Sequence, residues 1–138
     1  MIKVFCGRRG TGKTKKLLGI ANEDLKQAKG DSVYIDINNK NTIYLNGDIR
    51  FINTSELQIK DAEGVYGLIC GIIAQNYDVE NIYMDNLTNM IDLSLPYSKN
   101  LFEKLEKLSV RFRINIFINV DYEKCSKLTE YINDYAII

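Results

Sequence analysis

Apolar positions along the chain change their spacing several times, and each change marks the boundary of a predicted element. Short apolar runs of strand length lie at residues 2–6, 32–37, 49–53, 81–85 and 114–120. Between these runs, apolar residues recur every three or four positions, which is the spacing of an amphipathic helix. Strands that alternate with helices along a chain predict a parallel sheet with helices on both faces.

Four helices are predicted from these recurring positions. They start near Lys13, near Asp61, at Ser94 with Pro96, and near Glu123. Gly30 predicts the end of the first helix, because glycine adopts the left-handed conformation that commonly closes one. The last helix is expected to reach Tyr135. Residues 42–45 are interpreted as a return arm of a hairpin or as an edge ribbon.

Three glycines lie along the second predicted helix at three- and four-residue spacing, namely Gly64, Gly67 and Gly71. A glycine face lets a helix approach its neighbour closely. The favoured interpretation is close packing of this helix on the sheet. The alternative is a face for self-association.

Composition restricts the range of functions. The chain has 138 residues, the length of one domain, so residues 1–138 are predicted to form a single nucleotide-binding unit. Basic and acidic residues number 18 each, which provides no overall field to attract nucleic acid or an anionic membrane. No apolar run approaches the roughly 20 residues of a membrane span. Histidine is absent, which excludes imidazole bases and imidazole metal sites.

The three cysteines show no metal-binding spacing. An odd number without such spacing is typical of reduced thiols in a cytoplasmic protein. Cys6, Cys70 and Cys125 are therefore expected to be reduced residues of the core.

The strongest chemical signal is a phosphate-loop motif near the N-terminus. The pattern G-x-x-x-x-G-K-[ST] is matched at every fixed position by Gly7, Arg8, Arg9, Gly10, Thr11, Gly12, Lys13 and Thr14. A short apolar strand precedes these residues and a helical segment follows them, which is the context that the motif requires. The segment predicts a binding site for a nucleoside triphosphate.

Each residue type in the motif has a physical role. Glycines let consecutive backbone N–H groups turn inward and form a nest for an anion, to which the helix start adds its own N–H groups and the positive end of its dipole. Lys13 is expected to reach the β- and γ-phosphates, and the Thr14 hydroxyl to coordinate Mg²⁺. Arg8 and Arg9 are expected either to face solvent or to contact the triphosphate.

The other predicted site residues follow later strands. Asp85 ends an apolar strand, which is where this class of protein places the carboxylate that holds Mg²⁺ directly or through water. Asn86 follows it and can orient water but cannot accept its proton, so fast hydrolysis is not expected. Asn119, at the end of the next strand, is either a sensor of the γ-phosphate or a structural strand end. Asp36 and Asp121 are alternatives for a base, or strand-end caps.

The chain resembles a known family over its whole length. Residues 1–14, 49–53, 70–77 and 101–108 are similar to small clostridial P-loop proteins often labelled as twitching-motility (PilT-type) ATPases. The pilus-retraction motor has histidine-containing motifs that this chain lacks, so the resemblance implies a RecA-like core and not the motor activity. It implies that residues 7–14 are the phosphate loop and that Asp85 is the magnesium acid.

The resulting prediction is a three-layer P-loop NTPase fold with a mostly parallel sheet. The favoured strand order is 5-1-4-3-2, in which the Asp85 strand is not adjacent to the loop strand; the alternative places these strands side by side, as in kinases. The leading function is that of a protein that binds ATP or another nucleoside triphosphate with Mg²⁺, acting as a slow NTPase or a nucleotide-dependent switch. The alternatives are a small nucleoside or nucleotide kinase and a non-catalytic nucleotide-binding module. A homo-oligomer or a protein partner fits each of these functions.

Overall fold

The computed structural model describes residues 1–94, 97–128 and 134–137, with the side chains of residues 97 and 126–128 outside that description. Six strands and five helices follow one another in these segments. They are β1 (Ile2–Gly7), α1 (Lys13–Leu25), β2 (Asp31–Asp36), β3 (Arg50–Asn53), α2 (Ala62–Gln75), β4 (Val79–Met84), α3 (Leu87–Met90), α4 (Tyr97–Phe112), β5 (Asn115–Asp121), α5 (Tyr122–Leu128) and β6 (Tyr135–Ile137).

The six strands form one sheet in the order β3-β2-β4-β5-β1-β6, and every neighbouring pair is parallel. Written from the opposite edge, the strands β6-β1-β5-β4-β2 take the positions 5, 1, 4, 3 and 2 of the predicted order, and β3 is an additional edge strand. The prediction is confirmed: β5 lies between β1 and β4, and therefore separates the loop strand from the strand that precedes Asp85. The carboxyl ends of these three strands meet at one edge of the sheet.

Two apolar cores cover the two faces of the sheet, because successive side chains of a strand point to opposite faces. One core holds α1 with an aromatic stack in which Tyr83 lies 6.3 Å from Tyr34 and 5.0 Å from Phe117, measured between ring centroids. The other core contains apolar side chains of α2, α3, α4 and α5. Helices therefore cover both faces and complete the three layers of a P-loop fold.

Several short elements differ from the prediction. Residues 42–45 are not a strand; Thr42–Tyr44 forms one turn of 3₁₀-helix. The first helix ends at Leu25 rather than near Gly30. Tyr135, expected at the end of the last helix, begins the strand β6, which pairs with β1. Pro96 and residues 129–133 of the predicted helices lie outside the described residues.

The glycines of α2 do not all serve close packing. A Cβ at Gly64 would lie 3.1 Å from Asp61 Oδ1 and 3.2 Å from Ile59 Cγ2, so this glycine is closely packed. At Gly67 and Gly71, apart from the adjacent residues and the backbone of α2 itself, no atom in the described part of the chain lies within 4 Å of such a Cβ. The prediction of close packing is therefore wrong for these two positions, which face open space.

The prediction for the cysteines is also wrong in part. Cys6 and Cys125 form a disulfide between β1 and α5, with 6.0 Å between the two Cα atoms. Cys70 is a free thiol on α2. The sequence favoured three reduced residues because two cysteines 119 positions apart give no sign that the fold brings them together. No helix within residues 1–94, 97–128 and 134–137 combines the length and the apolar character needed to cross a bilayer.

Candidate functional site

The phosphate loop joins the end of β1 to the start of α1. Gly10 and Gly12 have φ angles of +82° and +86°, which glycine adopts without strain and other L-residues rarely do. Gly12 is the residue that caps α1, and its carbonyl accepts the N–H of Lys16 at 2.9 Å. The first N–H groups of α1 have no partner within the helix, so they are available to an anion placed in the loop.

Contacts inside the loop hold it in this curve. The carbonyl of Arg8 accepts the Thr11 N–H at 3.2 Å and the Thr11 hydroxyl at 2.6 Å. A Cβ at Gly7 would lie 2.8 Å from both Lys13 Cγ and Thr11 Oγ1, closer than a Cβ can approach. Gly7 is therefore required by the space that the Lys13 side chain occupies as it folds back over the loop.

A cavity of about 410 Å³ opens in front of the loop. The residues that line it are Arg9, Gly10, Gly12, Lys13, Thr14, Asp85, Asn86, Thr88, Asn89, Asn119 and Asp121. The fold thus brings together most of the site residues expected from sequence. Of the remaining ones, Gly7 and Thr11 shape the loop, and Arg8 faces the adjacent surface beside Tyr122.

Asp85 is 2% exposed and sits at the centre of a hydrogen-bond network. Its Oδ1 accepts the Asn86 N–H at 2.8 Å and the Asn119 Nδ2 at 3.2 Å. Its Oδ2 accepts the Tyr34 hydroxyl at 3.1 Å. Burial raises the pKa of Tyr34, and the nearby Asp85 charge raises it further, so the hydroxyl stays a donor. Three donors from three different residues therefore converge on the Asp85 carboxyl group.

The amide of Asn119 is oriented by this network. Its Nδ2 donates to Asp85, and its Oδ1 is buried without a hydrogen-bond partner among the described residues. An amide oxygen can accept a hydrogen bond from water but cannot donate one to a phosphate. A γ-phosphate sensor needs a donor, and the contact with Asp85 leaves the second N–H of Asn119 Nδ2 for that role.

Asn86 connects the ends of β4 and β2. It adopts a φ of 58°, its Nδ2 donates to Asp36 Oδ1 at 2.7 Å, and its Oδ1 accepts the Asn89 Nδ2 at 3.2 Å. Each end of the Asn86 amide therefore makes one hydrogen bond and keeps one further donor or acceptor site that can orient a water.

Asp36 is fully buried at the end of β2. Its Oδ1 also accepts the N–H of Ile37 at 2.7 Å, whereas its Oδ2 has no hydrogen-bond partner in the described segments. Burial raises the pKa of this carboxyl, and the hydrogen bonds from Asn86 and Ile37 oppose that rise. Asp36 is not part of the cavity lining.

Lys13 and Asp121 form an ion pair across the loop. The Nζ of Lys13 lies 3.2 Å from Asp121 Oδ1 and 3.3 Å from the Arg8 carbonyl oxygen. Asp121 is the last residue of β5 and pairs in register with Gly7 of β1. The lysine that the motif assigns to phosphate therefore contacts a carboxylate of its own chain.

A divalent cation at this site would depend on the nucleotide for part of its coordination. Among the residues that the structure describes, no group of three or more His, Cys, Asp or Glu side chains could hold a metal ion. Thr14 and Asp85 line the same cavity, and Mg²⁺ in proteins commonly takes one or two protein oxygens together with phosphate oxygens and water. The donor set therefore fits a cation that arrives with phosphates.

Two contacts of the site were not expected, one made by Tyr34 and one by Asp121. The sequence predicts Tyr34 only as one residue of a buried strand. Its contact with Asp85 exists because β2 lies beside β4. Asp121 was expected as a base or a strand-end cap, and its pairing with Lys13 follows from the position of β5 beside β1. No pattern at these two residues indicates either contact. Both contacts follow from the strand order, because the order decides which strand ends are neighbours.

Comparison with known proteins finds a likeness of fold. No protein-family model matches the sequence, and no curated protein matches it. Among solved structures, the chain is similar to the crystal structure of the flagellar accessory protein FlaH from Methanocaldococcus jannaschii, with a TM-score of 0.66 and 15% sequence identity. The match covers 94% of this chain and 65% of FlaH, so the chain spans just under two thirds of that protein's length.

At this identity the likeness is one of architecture alone. The resemblance to proteins labelled as twitching-motility ATPases stays a prediction. What the strand order and the comparison together establish is a RecA-like, three-layer P-loop fold.

Proposed function

We propose that this protein binds ATP, or another nucleoside triphosphate, together with Mg²⁺, and acts as a slow NTPase or a nucleotide-dependent switch. One observation carries the proposal: the loop is already curved, with positive φ at Gly10 and Gly12, around a cavity that also contains Asp85. A backbone nest at a helix start is a preformed site for a polyphosphate.

Each group has a role in binding. The N–H groups of the loop and of the first turn of α1 hold the β-phosphate, and Lys13 reaches the β- and γ-phosphates once it leaves Asp121. Thr14 and Asp85 hold Mg²⁺, which when bound neutralises charge on the phosphate oxygens. Tyr34 keeps the Asp85 carboxylate in place from the buried side.

The structure supports slow rather than fast hydrolysis. A base must reach the attacking water, and both candidate carboxylates are engaged or enclosed. Asp36 is buried outside the cavity lining, and Asp121 pairs with Lys13. Asn86 is an amide and cannot accept a proton from the water. Rapid turnover would therefore need a partner, or a second copy of the chain, to supply a base or an arginine in trans.

The test is titration of the purified protein with ATP and Mg²⁺, using Lys13→Ala as the variant. Lys15→Ala is the matched control, because Lys15 is an exposed lysine on the same first turn of α1. We expect Lys13→Ala to lose most of its ATP affinity and Lys15→Ala to retain it. Equal binding by the wild type and Lys13→Ala would contradict the proposal.

Phosphate release in the same samples distinguishes the two modes of action. A slow NTPase releases phosphate at a rate that Lys13→Ala abolishes. A switch, or a non-catalytic binding module, shows ATP-dependent light scattering or partner binding with negligible release. The open glycine face at Gly67 and Gly71 favours the second outcome, because it leaves a surface on α2 for a second copy or another protein.

A small-molecule kinase is the less supported alternative. In the kinase arrangement considered above, the loop strand and the Asp85 strand are neighbours, whereas here β5 separates β1 from β4. A screen of nucleosides and nucleoside monophosphates for acceptor-dependent ADP production tests this alternative directly.

A further inference from the structure

Three separate contacts connect one short segment, Asp121 to Cys125, to the phosphate loop and its strand. Asp121 pairs with Lys13, the Tyr122 ring lies under the Arg8 guanidinium, and Cys125 is bonded to Cys6. The segment comprises the end of β5 and the first turn of α5. Together these contacts restrain the phosphate loop.

The ion pair opposes nucleotide binding in two ways. It engages the Lys13 ammonium, whose side chain is 12% exposed, with a carboxylate in place of phosphate. It also keeps the negative charge of Asp121 in the lining of the cavity, where it repels a triphosphate. ATP can use Lys13 fully only after the Asp121 carboxylate has moved aside.

The Arg8 contact holds the next residue of the segment. The guanidinium carbon of Arg8 lies 5.3 Å from the centroid of the Tyr122 ring, within the range of a cation–π interaction. Arg8 belongs to the loop, and Tyr122 is the first residue of α5. The start of α5 is thus bound to the loop by a second contact of a different kind.

The disulfide fixes the same helix to the strand that leads into the loop. Cys6 immediately precedes Gly7, and Cys125 lies one helical turn after Tyr122. Both cysteines are buried, with 0% and 3% of their surfaces exposed. While the bond exists, α5 cannot move away from β1, and Asp121 and Tyr122 stay close to the loop.

We propose that Cys6 and Cys125 form a redox modification site that controls nucleotide access, with the segment from Asp121 to Cys125 as an inhibitory latch. The proposal rests on the function proposed above. Disulfides in cytoplasmic proteins are usually transient and redox-sensing, which agrees with a regulatory bond in a protein expected to be cytoplasmic. The oxidised protein keeps the latch closed, and the reduced protein lets α5 move so that Lys13 becomes free for phosphate.

The opening reaction is a thiol–disulfide exchange with a dithiol reductant. Because both cysteines are buried, the reductant reaches the bond only during a local opening around it. One thiolate of the reductant then attacks a sulfur of the Cys6–Cys125 bond, and the other cysteine leaves as a thiolate that takes up a proton. The second thiol of the reductant then displaces the remaining cysteine. Two electrons and two protons pass to the protein, which ends with two thiols while the reductant ends as a disulfide.

The experiment compares Mg²⁺–ATP affinity in the oxidised and dithiothreitol-reduced wild-type protein. Alkylation of the denatured protein followed by mass spectrometry verifies each state: one cysteine, Cys70, reacts in the oxidised form, and all three react in the reduced form. We expect reduction to tighten ATP binding by about fivefold or more, the scale of a partly exposed ion pair. Asp121→Asn should produce a similar gain in the oxidised protein.

Three variants separate the latch from other effects. Asp134→Asn removes an acid from another partly exposed lysine pair, with Lys3, and should leave ATP affinity unchanged. Cys70→Ser should respond to the reductant as the wild type does. Cys125→Ser should bind ATP tightly without reductant. If this variant fails to fold, the comparison of ATP affinity between oxidised and reduced wild-type protein still tests the latch.

Equal affinity in the oxidised and reduced wild type overturns the latch, as does an Asp121→Asn variant that binds no more tightly than Asp134→Asn. Reaction of all three cysteines in untreated protein under oxidising conditions overturns it too. Absence of ATP binding in every form contradicts the proposed function instead. Lost turnover with unchanged affinity in Asp121→Asn identifies Asp121 as a base and overturns its role as a latch.

Discussion

Tyr34 illustrates how one buried hydroxyl can set the properties of a site that it does not line. It donates to the Asp85 oxygen that accepts neither Asn86 nor Asn119. Partners of this kind orient a metal-binding carboxylate, and losing one typically weakens metal binding by roughly 10–100-fold. We therefore expect Tyr34→Phe to raise the Mg²⁺ concentration needed for ATP binding by about that factor, as measured by Mg²⁺ titration at fixed ATP.

The control for this prediction is Tyr83→Phe. Tyr83 stacks on Tyr34, but its hydroxyl donates to Asp24 on α1 at 2.8 Å, away from Asp85. Both variants remove one hydroxyl from the same aromatic core. If Tyr83→Phe changes the Mg²⁺ requirement as much as Tyr34→Phe does, the effect is one of packing and the positioning role of Tyr34 is wrong.

Asp36 leads to a prediction about pH. Burial raises the pKa of its carboxyl above the ordinary value of about 4. The folded protein therefore keeps the Asp36 proton to a higher pH than the unfolded chain does. It follows that Asp36 makes the free energy of unfolding fall as pH rises from about 4 through the raised pKa, by at most about 1.4 kcal/mol per pH unit.

Asp36→Asn removes this titration, while its amide oxygen can still accept the hydrogen bonds from Asn86 and Ile37. Denaturant unfolding of both proteins between about pH 4 and pH 8 measures the difference. We expect the stability of the wild type to decline with pH relative to the variant across the lower part of this range. Parallel profiles would show that the Asp36 carboxyl does not titrate abnormally.

Residues of the site differ in how far the sequence reveals them. The loop could be predicted because its eight residues are contiguous and each has a local reason to be there. Asp85 could be predicted because an apolar strand ends at it. Tyr34 could not, since nothing in its own strand distinguishes a tyrosine that packs from one that donates to a carboxylate two strands later in the chain.

At the scale of elements, α2 provides a direct test of what its glycines do. Gly71 lies in the interior of the helix with space for a Cβ, whereas the Cβ of an alanine at Gly64 would press on Asp61, the residue that caps the helix. An interior helical glycine costs about 0.5–1 kcal/mol relative to alanine. We expect Gly71→Ala to raise the free energy of unfolding by that amount, as measured by denaturant titration.

Gly64→Ala is the matched comparison in the same helix. Asp61 Oδ1 accepts the Gly64 N–H at 2.7 Å, so displacement of Asp61 would weaken the cap and cancel the helical gain. We expect no stabilisation from this change. A loss of stability in Gly71→Ala would mean that another group covers the surface of α2 at Gly71, for example a second copy of the chain. Measurement of the molecular mass of both variants in solution would then show whether Gly71→Ala disrupts an oligomer.

Long elements followed from sequence and most short ones did not; the four-residue strand β3 is an exception. The strands β1 to β5 and the three longer helices were predicted because each shows a run or a repeat of apolar positions. The 3₁₀ turn at Thr42–Tyr44, the helix α3 at Leu87–Met90 and the strand β6 at Tyr135–Ile137 each contain three or four residues. Too few positions repeat in such elements to separate helical from strand spacing, and tertiary contacts decide their conformation.

At the scale of the whole molecule, the sheet order gathers the site from distant parts of the chain. The loop follows β1, Asp85 follows β4, and Asn119 lies on β5 between them. A ligand that contacts all three holds these strands together, and it binds the unfolded chain far more weakly. Nucleotide binding should therefore stabilise the entire fold rather than the loop alone.

This linkage has a calculable size. At a concentration 100-fold above its dissociation constant, a ligand that binds only the folded state adds about 2.7 kcal/mol of stability. For a chain of this length that amount corresponds to a rise in Tm of roughly 10 °C. We expect Mg²⁺–ATP to produce such a shift in reduced wild-type protein, as measured by a thermal melt.

Lys13→Ala should show almost no shift in Tm at the same ATP concentration, because the site loses the ammonium that reaches the phosphates. Lys15→Ala should shift as the wild type does. The oxidised wild type should shift less than the reduced protein at subsaturating ATP, since Asp121 then competes for Lys13. An equal shift in Lys13→Ala would mean that ATP stabilises the protein from some other surface, and the loop would no longer account for nucleotide binding.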